Sequence, residues 1–244
     1  MKNRAYAQPL FKQSVNQMEE LDTIREEICG VFAYSQAGAV ALAAGKLTQG
    51  AIPSANANNE ALSSTQSAAI GAYEVTVTFG GAVTVDFYKD GYFWVNDAAG
   101  EGRHYRIKGH AAGTTDVTLY LKDPIRVALV ASTSEWSAIE NRQKLVLVCP
   151  TTLTGAPAGV PPIAVDINYY FWNQVKGPAA VLFHTGSSGA AAIGNQVVPA
   201  NSNTPVPGAV EEADGGDIIP CVGTVLSVNV NTEYGLIALA IPGY

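Results

Sequence analysis

The chain has 244 residues, with 14 Lys plus Arg against 21 Asp plus Glu and a formal net charge of −7. Charged residues are only 14% of the total, against roughly 25% in an ordinary soluble domain. The acidic balance excludes a basic nucleic-acid-binding surface, and the 48% hydrophobic content excludes an acidic disordered tail.

Residues 1–13 mix basic and apolar side chains around Pro9 and read as an extended arm. From Ser14 onward, Val15, Met18, Leu21, Ile24 and Ile28 recur every three or four residues. That spacing predicts a helix with Ser14 as its N-cap and Gly30 as its stop. Glu26 and Glu27 oppose the dipole near its end, so this helix is expected to need packing against a neighbour, such as another subunit. Residues 31–155 then read as a β-rich lobe, with the small and polar stretch 50–70 as a loop or linker.

Within that lobe Tyr73–Phe79 alternates apolar and polar residues, the period of a half-buried strand. Val83–Tyr88 and Tyr92–Asp97 follow, separated by a turn at Lys89-Asp90-Gly91. Arg103–Lys108, Val117–Leu121, Ile125–Val130 and Leu145–Cys149 continue the series. Residues 150–163, rich in Pro and Gly, read as a connector to a third segment, 156–244, of barrel-like character. It contains the aromatic block Tyr169-Tyr170-Phe171-Trp172, a strand at Pro178–Phe183, and a closing hairpin of Val222–Val230 with Tyr234–Ile241. The fold class expected is therefore mainly β: short-stranded antiparallel barrel or sandwich lobes behind an N-terminal arm and one helix.

Catalytic signals are lacking. Gly186-Ser187-Ser188-Gly189 is not a nucleophile elbow, which needs G-x-S-x-G at a strand-to-helix turn. The three histidines, His104, His110 and His184, show no metal-ligand spacing with the cysteines. Cys29, Cys149 and Cys221 are odd in number and far apart, so buried free thiols formed in a reducing cytoplasm are expected rather than a disulfide framework. Asp90, Asp97 and Glu101, and Asp214 with Asp217, are carboxylates near glycines that could hold calcium, but turn chemistry accounts for them better. Tyr92, Phe93 and Trp94, with the block at 169–172, suit a core and subunit interface first and a sugar platform second, because alternate rings on a strand face opposite ways. The reading is a protein with no enzyme activity, cofactor or metal.

Thirty-six of the hydrophobic residues are alanines, so scarcity of charge is the distinctive feature. A domain short of charge tends to associate, because charge holds monomers apart. Charge is also uneven: 103–144 carries seven basic residues against four acids, whereas no Lys or Arg follows Lys176. Such a division suits contact between copies. Phe11, Val15, Met18, Leu21, Ile28, Tyr170 and Trp172 are the interface residues expected. The N-terminus has no apolar signal core and no run is long enough to span a bilayer, so neither secretion nor a membrane is expected.

The stretches AGAVALAAGKLTQ (37–49), GYFWVNDAAGEGRHYRIK (91–108), YYFWNQVKGPAAVL (169–182) and GTVLSVNVNTEYGLIALAI (223–241) together resemble structural proteins of tailed bacteriophages, aquatic ones especially. The segments at 194–198, 208–210 and 222–241 are similar to the short strands of small β-barrel capsid decoration, or cement, proteins. The resemblance implies a virion component on the capsid surface, made in the host cytoplasm. Its implied partners are the major capsid protein and its own copies, as a homo-oligomer and most simply a trimer, without direct contact with nucleic acid. It implies no catalytic residues. The alternative is a receptor- or glycan-binding fibre or tail-tip protein.

Overall fold

The computed structural model describes residues 5–53, 61–63, 66–185, 191–202, 204–216, 218–227 and 230–244. Among them the chain is all-β. In chain order the strands are β1 (Ile24–Glu27), β2 (Gly30–Gln36), β3 (Thr48–Gln49), β4 (Leu62–Ser63), β5 (Glu74–Thr78), β6 (Tyr92–Asp97), β7 (His104–His110) and β8 (Asp116–Leu121). They continue as β9 (Glu135–Ile139), β10 (Leu147–Val148), β11 (Pro157–Gly159), β12 (Tyr170–Leu182), β13 (Gln196–Pro199), β14 (Val210–Glu212), β15 (Gly223–Val225) and β16 (Tyr234–Ala240).

Two compact units form, and neither follows the boundaries expected at 30/31 and 155/156. One comprises 1–52 and 142–244; the other is an insertion, 53–141. The stretch 150–163, expected to connect lobes, lies wholly inside the first unit, where β11 and β10 both pair with β3.

The first unit carries a seven-stranded sheet of order β1-β2-β12-β16-β15-β13-β14. A parallel bridge joins Phe183, just past β12, to Val210 of β14, and the His184 N–H donates to the Val210 carbonyl at 2.8 Å. The last five strands thus close on themselves as a barrel. Val181, Phe183, Val197, Val210, Val225, Ile237 and Leu239 fill it. The first half of β12 lies outside the closed part and is covered on both faces. Phe171 packs with Leu42, Val146 and Val165 on one side, and Trp172 packs with Leu10, Leu21, Phe32 and Tyr34 on the other. Strands normally alternate inside and outside. Here two covers remove the alternation, which is why adjacent aromatics are both buried.

The expected helix over 14–30 is absent. Ser14 bridges to Tyr170, turns follow, Asp22 takes a positive φ of 67°, and Ile24–Glu27 pairs back on Gly30–Ala33 as a hairpin. Gly30 has φ 145°, and a Cβ there would lie 2.4 Å from the Lys176 carbonyl, so the turn needs glycine. Of the apolar stripe only Leu21 is core; Val15, Met18, Ile24 and Ile28 are exposed. A helix would have buried the whole stripe, and a hairpin does not.

The inserted unit is a six-stranded antiparallel sheet of order β4-β9-β6-β7-β8-β5. Its core is Val75, Val77, Phe79, Phe93, Val95, Tyr105, Ile107, Leu119 and Trp136. Strand β9 is an interior strand of this sheet, between β4 and β6, although no periodicity announced it. The strands expected at Val83–Tyr88 and Ile125–Val130 reduce to single bridges, Val83 to Gly113 and Leu129 to Ala68. The expected 50–70 loop lies partly outside the described residues and otherwise includes β4.

Candidate functional site

The N-terminal segment is held on its own chain. Gln8 is buried, and its side-chain amide donates to the carbonyls of Lys12 (2.7 Å) and Tyr170 (2.9 Å) while its Oε1 accepts the Tyr34 hydroxyl at 2.6 Å. Its own carbonyl accepts the Trp172 indole N–H at 3.0 Å and a guanidinium N–H of Arg25 at 3.1 Å. Tyr6 meets Trp172 edge-on at 5.2 Å. Burial pushes the Tyr34 hydroxyl up to about 12, outweighing the backbone hydrogen bonds it receives. Two of the seven expected interface residues, Leu21 and Trp172, are therefore core, and Tyr170 is half-buried and stacked on Tyr34. Phe11, Val15, Met18 and Ile28 are exposed, Ile28 completely so at the hairpin tip.

A second apolar surface was not anticipated. Along the β12–β16 ladder Ala179, Val181, Ile237 and Leu239 point into the barrel. The alternate positions point out: Pro178 opposite Ala238, and Ala180 opposite Leu236, with Tyr234 beyond and Leu226 beside Leu236. Leu236, Leu226 and Tyr234 are 43%, 42% and 53% exposed. The charged side chain on the outer face of these two strands is Lys176, at one end. A polar exterior would be normal for a barrel standing in water. Scattered exposed apolar residues need no explanation, but a contiguous patch on a regular sheet does.

The buried charges are structural. Glu211 lies on β14 behind the barrel seam, and its carboxylate accepts four hydrogen bonds. They come from the Asn201 and Ser202 N–H groups (both 2.9 Å), the Ser202 hydroxyl (2.7 Å) and His184 Nδ1 (3.0 Å). Desolvation pushes its pKa up, and these donors outweigh it, so the carboxyl sits below its ordinary value. Ser202 donates to the carboxylate and not to an imidazole, so the trio clamps a loop rather than activating a nucleophile. In the inserted unit buried Asp90 meets Lys122 at 3.0 Å and its carbonyl accepts from Asn141 at 2.9 Å.

The candidate metal ligands do not converge: among the described residues no group of three or more His, Cys, Asp or Glu comes together. Asp97 and Asp214 each accept a backbone N–H of their own turn, from Ala98 and Gly216, and Asp217 lies outside the described residues. The Gly186–Gly189 stretch is also outside them. Cys149 is buried, which pushes its thiol up to about 12, whereas Cys29 is exposed and Cys221 half-buried, so only one of the three is the expected buried thiol. The aromatic blocks divide. Phe93, Phe171 and Trp172 are core, and Tyr92 and Trp94 share a half-buried face. The basic stretch is shared out as well, with Arg142 and Lys144 in the first unit and the rest in the insertion.

No family model, curated protein or solved structure matches the chain. No helix among the described residues is long and apolar enough to cross a membrane. The arrangement is an all-β protein whose two distinctive exposed features in the first unit, the ladder face and the N-terminal stripe, are both apolar.

Proposed function

We propose that this chain is a virion structural protein, a decoration or cement protein of a tailed-phage head that bridges capsomers. In this reading it binds the major capsid protein and its own copies, as a homo-oligomer and most simply a trimer, on the capsid surface. The observation that carries the proposal is the uncharged outer face of β12 and β16, from Pro178 and Ala180 to Leu236 and Ala238. Removing such a face from water is favourable by about 25 cal/mol per Å² of apolar area, with no charge to desolvate along most of its length. Each contact is modest, and many copies on one lattice multiply it into firm attachment. The bacteriophage resemblance of the barrel strands supports placing that lattice on a capsid. The exposed Phe11, Val15 and Met18 supply a second contact region.

Replacing Leu236 by aspartate places a carboxylate at the centre of this face. Self-association is expected to weaken more than tenfold, because an unpaired charge in a desolvated contact costs several kcal/mol. Sedimentation of the wild type above its 25.5 kDa monomer mass, and of the variant at that mass, is the expected pair of results. Particle imaging tests the placement: hundreds of copies on the head support cement, whereas a few copies at the tail indicate the receptor-binding alternative and overturn the reading.

A further inference from the structure

The inserted unit carries a surface groove of about 620 Å³ on the outer face of β5, β8 and β7. Its size falls within the range of small-ligand sites. Across it the strands place Glu74 opposite Tyr120, and Tyr120 opposite Gly109. Tyr73 precedes Glu74 at one wall and Lys108 precedes Gly109 at the other. Tyr73 and Tyr120 are 55% and 42% exposed, so two rings present area to solvent in a single concavity.

The opposite wall is Asp86, and its position is constrained. Its N–H donates to the His110 carbonyl at 3.1 Å, and its Oδ1 accepts the His110 N–H at 3.0 Å. It does so with φ at 55°, a left-handed region that residues other than glycine rarely adopt. A Cβ on Gly109 would lie 2.8 Å from that Oδ1, so the absence of a side chain at 109 leaves the carboxylate room over β7, in the groove that Tyr120 also lines. His110 is fixed in turn. Its Nε2 accepts the Tyr88 N–H at 3.0 Å, so it carries no proton, and Nδ1–H donates to the Ala111 carbonyl at 2.8 Å. The groove wall therefore rests on a buried neutral imidazole.

The geometry points to a carbohydrate site: we infer that this groove binds a neutral saccharide. A sugar ring offers patches of C–H that lie on aromatic faces, and a rim of hydroxyls that each need a donor or an acceptor. Tyr73 and Tyr120 supply the first, and Glu74, Asp86 and Lys108 supply acceptors and a donor for the second. The mixed signs select against ions. Lys108 disfavours a cation, and two carboxylates disfavour a sialylated, sulfated or phosphorylated ligand. An apolar peptide would desolvate Glu74, Asp86 and Lys108 and bring no polar group of its own to meet them. None of these residues belongs to the aromatic blocks conspicuous in the sequence. The inference rests on the inserted unit alone and stands or falls separately from the capsid reading.

The test is titration calorimetry of the full chain with maltotriose, lactose, mannotriose and chitotriose, preceded by a glycan array carrying neutral, sialylated and sulfated sugars. At least one neutral oligosaccharide is expected to bind in the millimolar range or tighter. Tyr120→Ala should weaken that binding at least tenfold, and Glu74→Gln and Lys108→Met severalfold. Each of these positions is solvent-facing, so an unchanged circular dichroism spectrum checks the fold, and Tyr92→Ala on β6 serves as the control that keeps affinity. Retention of charged glycans alone, retention of none, or binding untouched by Tyr120→Ala would overturn the inference.

Discussion

Trp172→Ala is expected to destabilise the unit formed by 1–52 and 142–244 by about 4 kcal/mol, the range for truncating a large buried aromatic. The side chain is fully buried, touches Tyr6 and Tyr34 edge-on, and donates to the Gln8 carbonyl. Its loss leaves a cavity beneath the N-terminal segment, which is attached to the sheet chiefly through this cluster. The unfolding midpoint should fall by roughly 10 °C, read by circular dichroism on heating. Removal of residues 1–14 should have a similar effect, because it uncovers Phe32, Tyr34 and Trp172 together and takes away Leu10. The truncated chain should also emit at longer wavelength as Trp172 meets water. An N-terminal arm that engaged only other subunits would predict neither change.

Glu211→Ala is expected to cost about 3 kcal/mol. Four donors converge on the carboxylate, and truncation strands two backbone N–H groups and an imidazole in a buried seam. Glu211→Gln should cost less, since the amide keeps one acceptor oxygen and the side-chain volume. The acid response separates the two effects. A carboxyl whose folded pKa is lowered contributes stability above its unfolded value, and that contribution is lost as pH falls through the folded one. Wild-type stability should therefore decline from about pH 4.3 downward, the ordinary glutamate value. In Glu211→Gln this part of the decline should vanish, which urea titrations at pH 6 and pH 3 would measure.

Much of the β architecture was legible, and its exceptions have physical causes. β5 and β8 alternate cleanly because one face is core and the other wet, and β6 was found by its β-branched and aromatic residues. β9 reads Glu-Trp-Ser-Ala-Ile, with Ser137 buried and bonded to Asn96, so burial there is not matched by hydrophobicity. β12 was divided into two pieces by Gly177-Pro178. Beyond Lys176 its β2 side has no strand partner, and a proline is tolerated on such an edge. The false helix arose from a spacing that matched one face of a helix by coincidence. Four of its five apolar positions are simply exposed. The ladder face escaped notice because alanine and proline carry little hydrophobic signal one residue at a time. Only the pairing register shows that they lie side by side without charge. The groove was hidden for a related reason, since Tyr73, Asp86, Gly109 and Tyr120 are scattered through the sequence and meet only across three strands.

The manner in which the second unit is spliced into the first has a consequence of its own. The chain departs after β3 and returns at Arg142, and a Cβ on Gly50 would sit 3.0 Å from the Arg142 carbonyl, so exit and entry are neighbours. Gln143 is anchored nearby, accepting from the Ser35 hydroxyl and donating to Ala158 and Tyr244. Residues 53–141 thus hang from a closed doorway, and replacing them with a short glycine-serine link should leave the barrel able to fold. Such a layout lets the inserted segment be exchanged or removed without breaking a strand pairing of the unit that carries it.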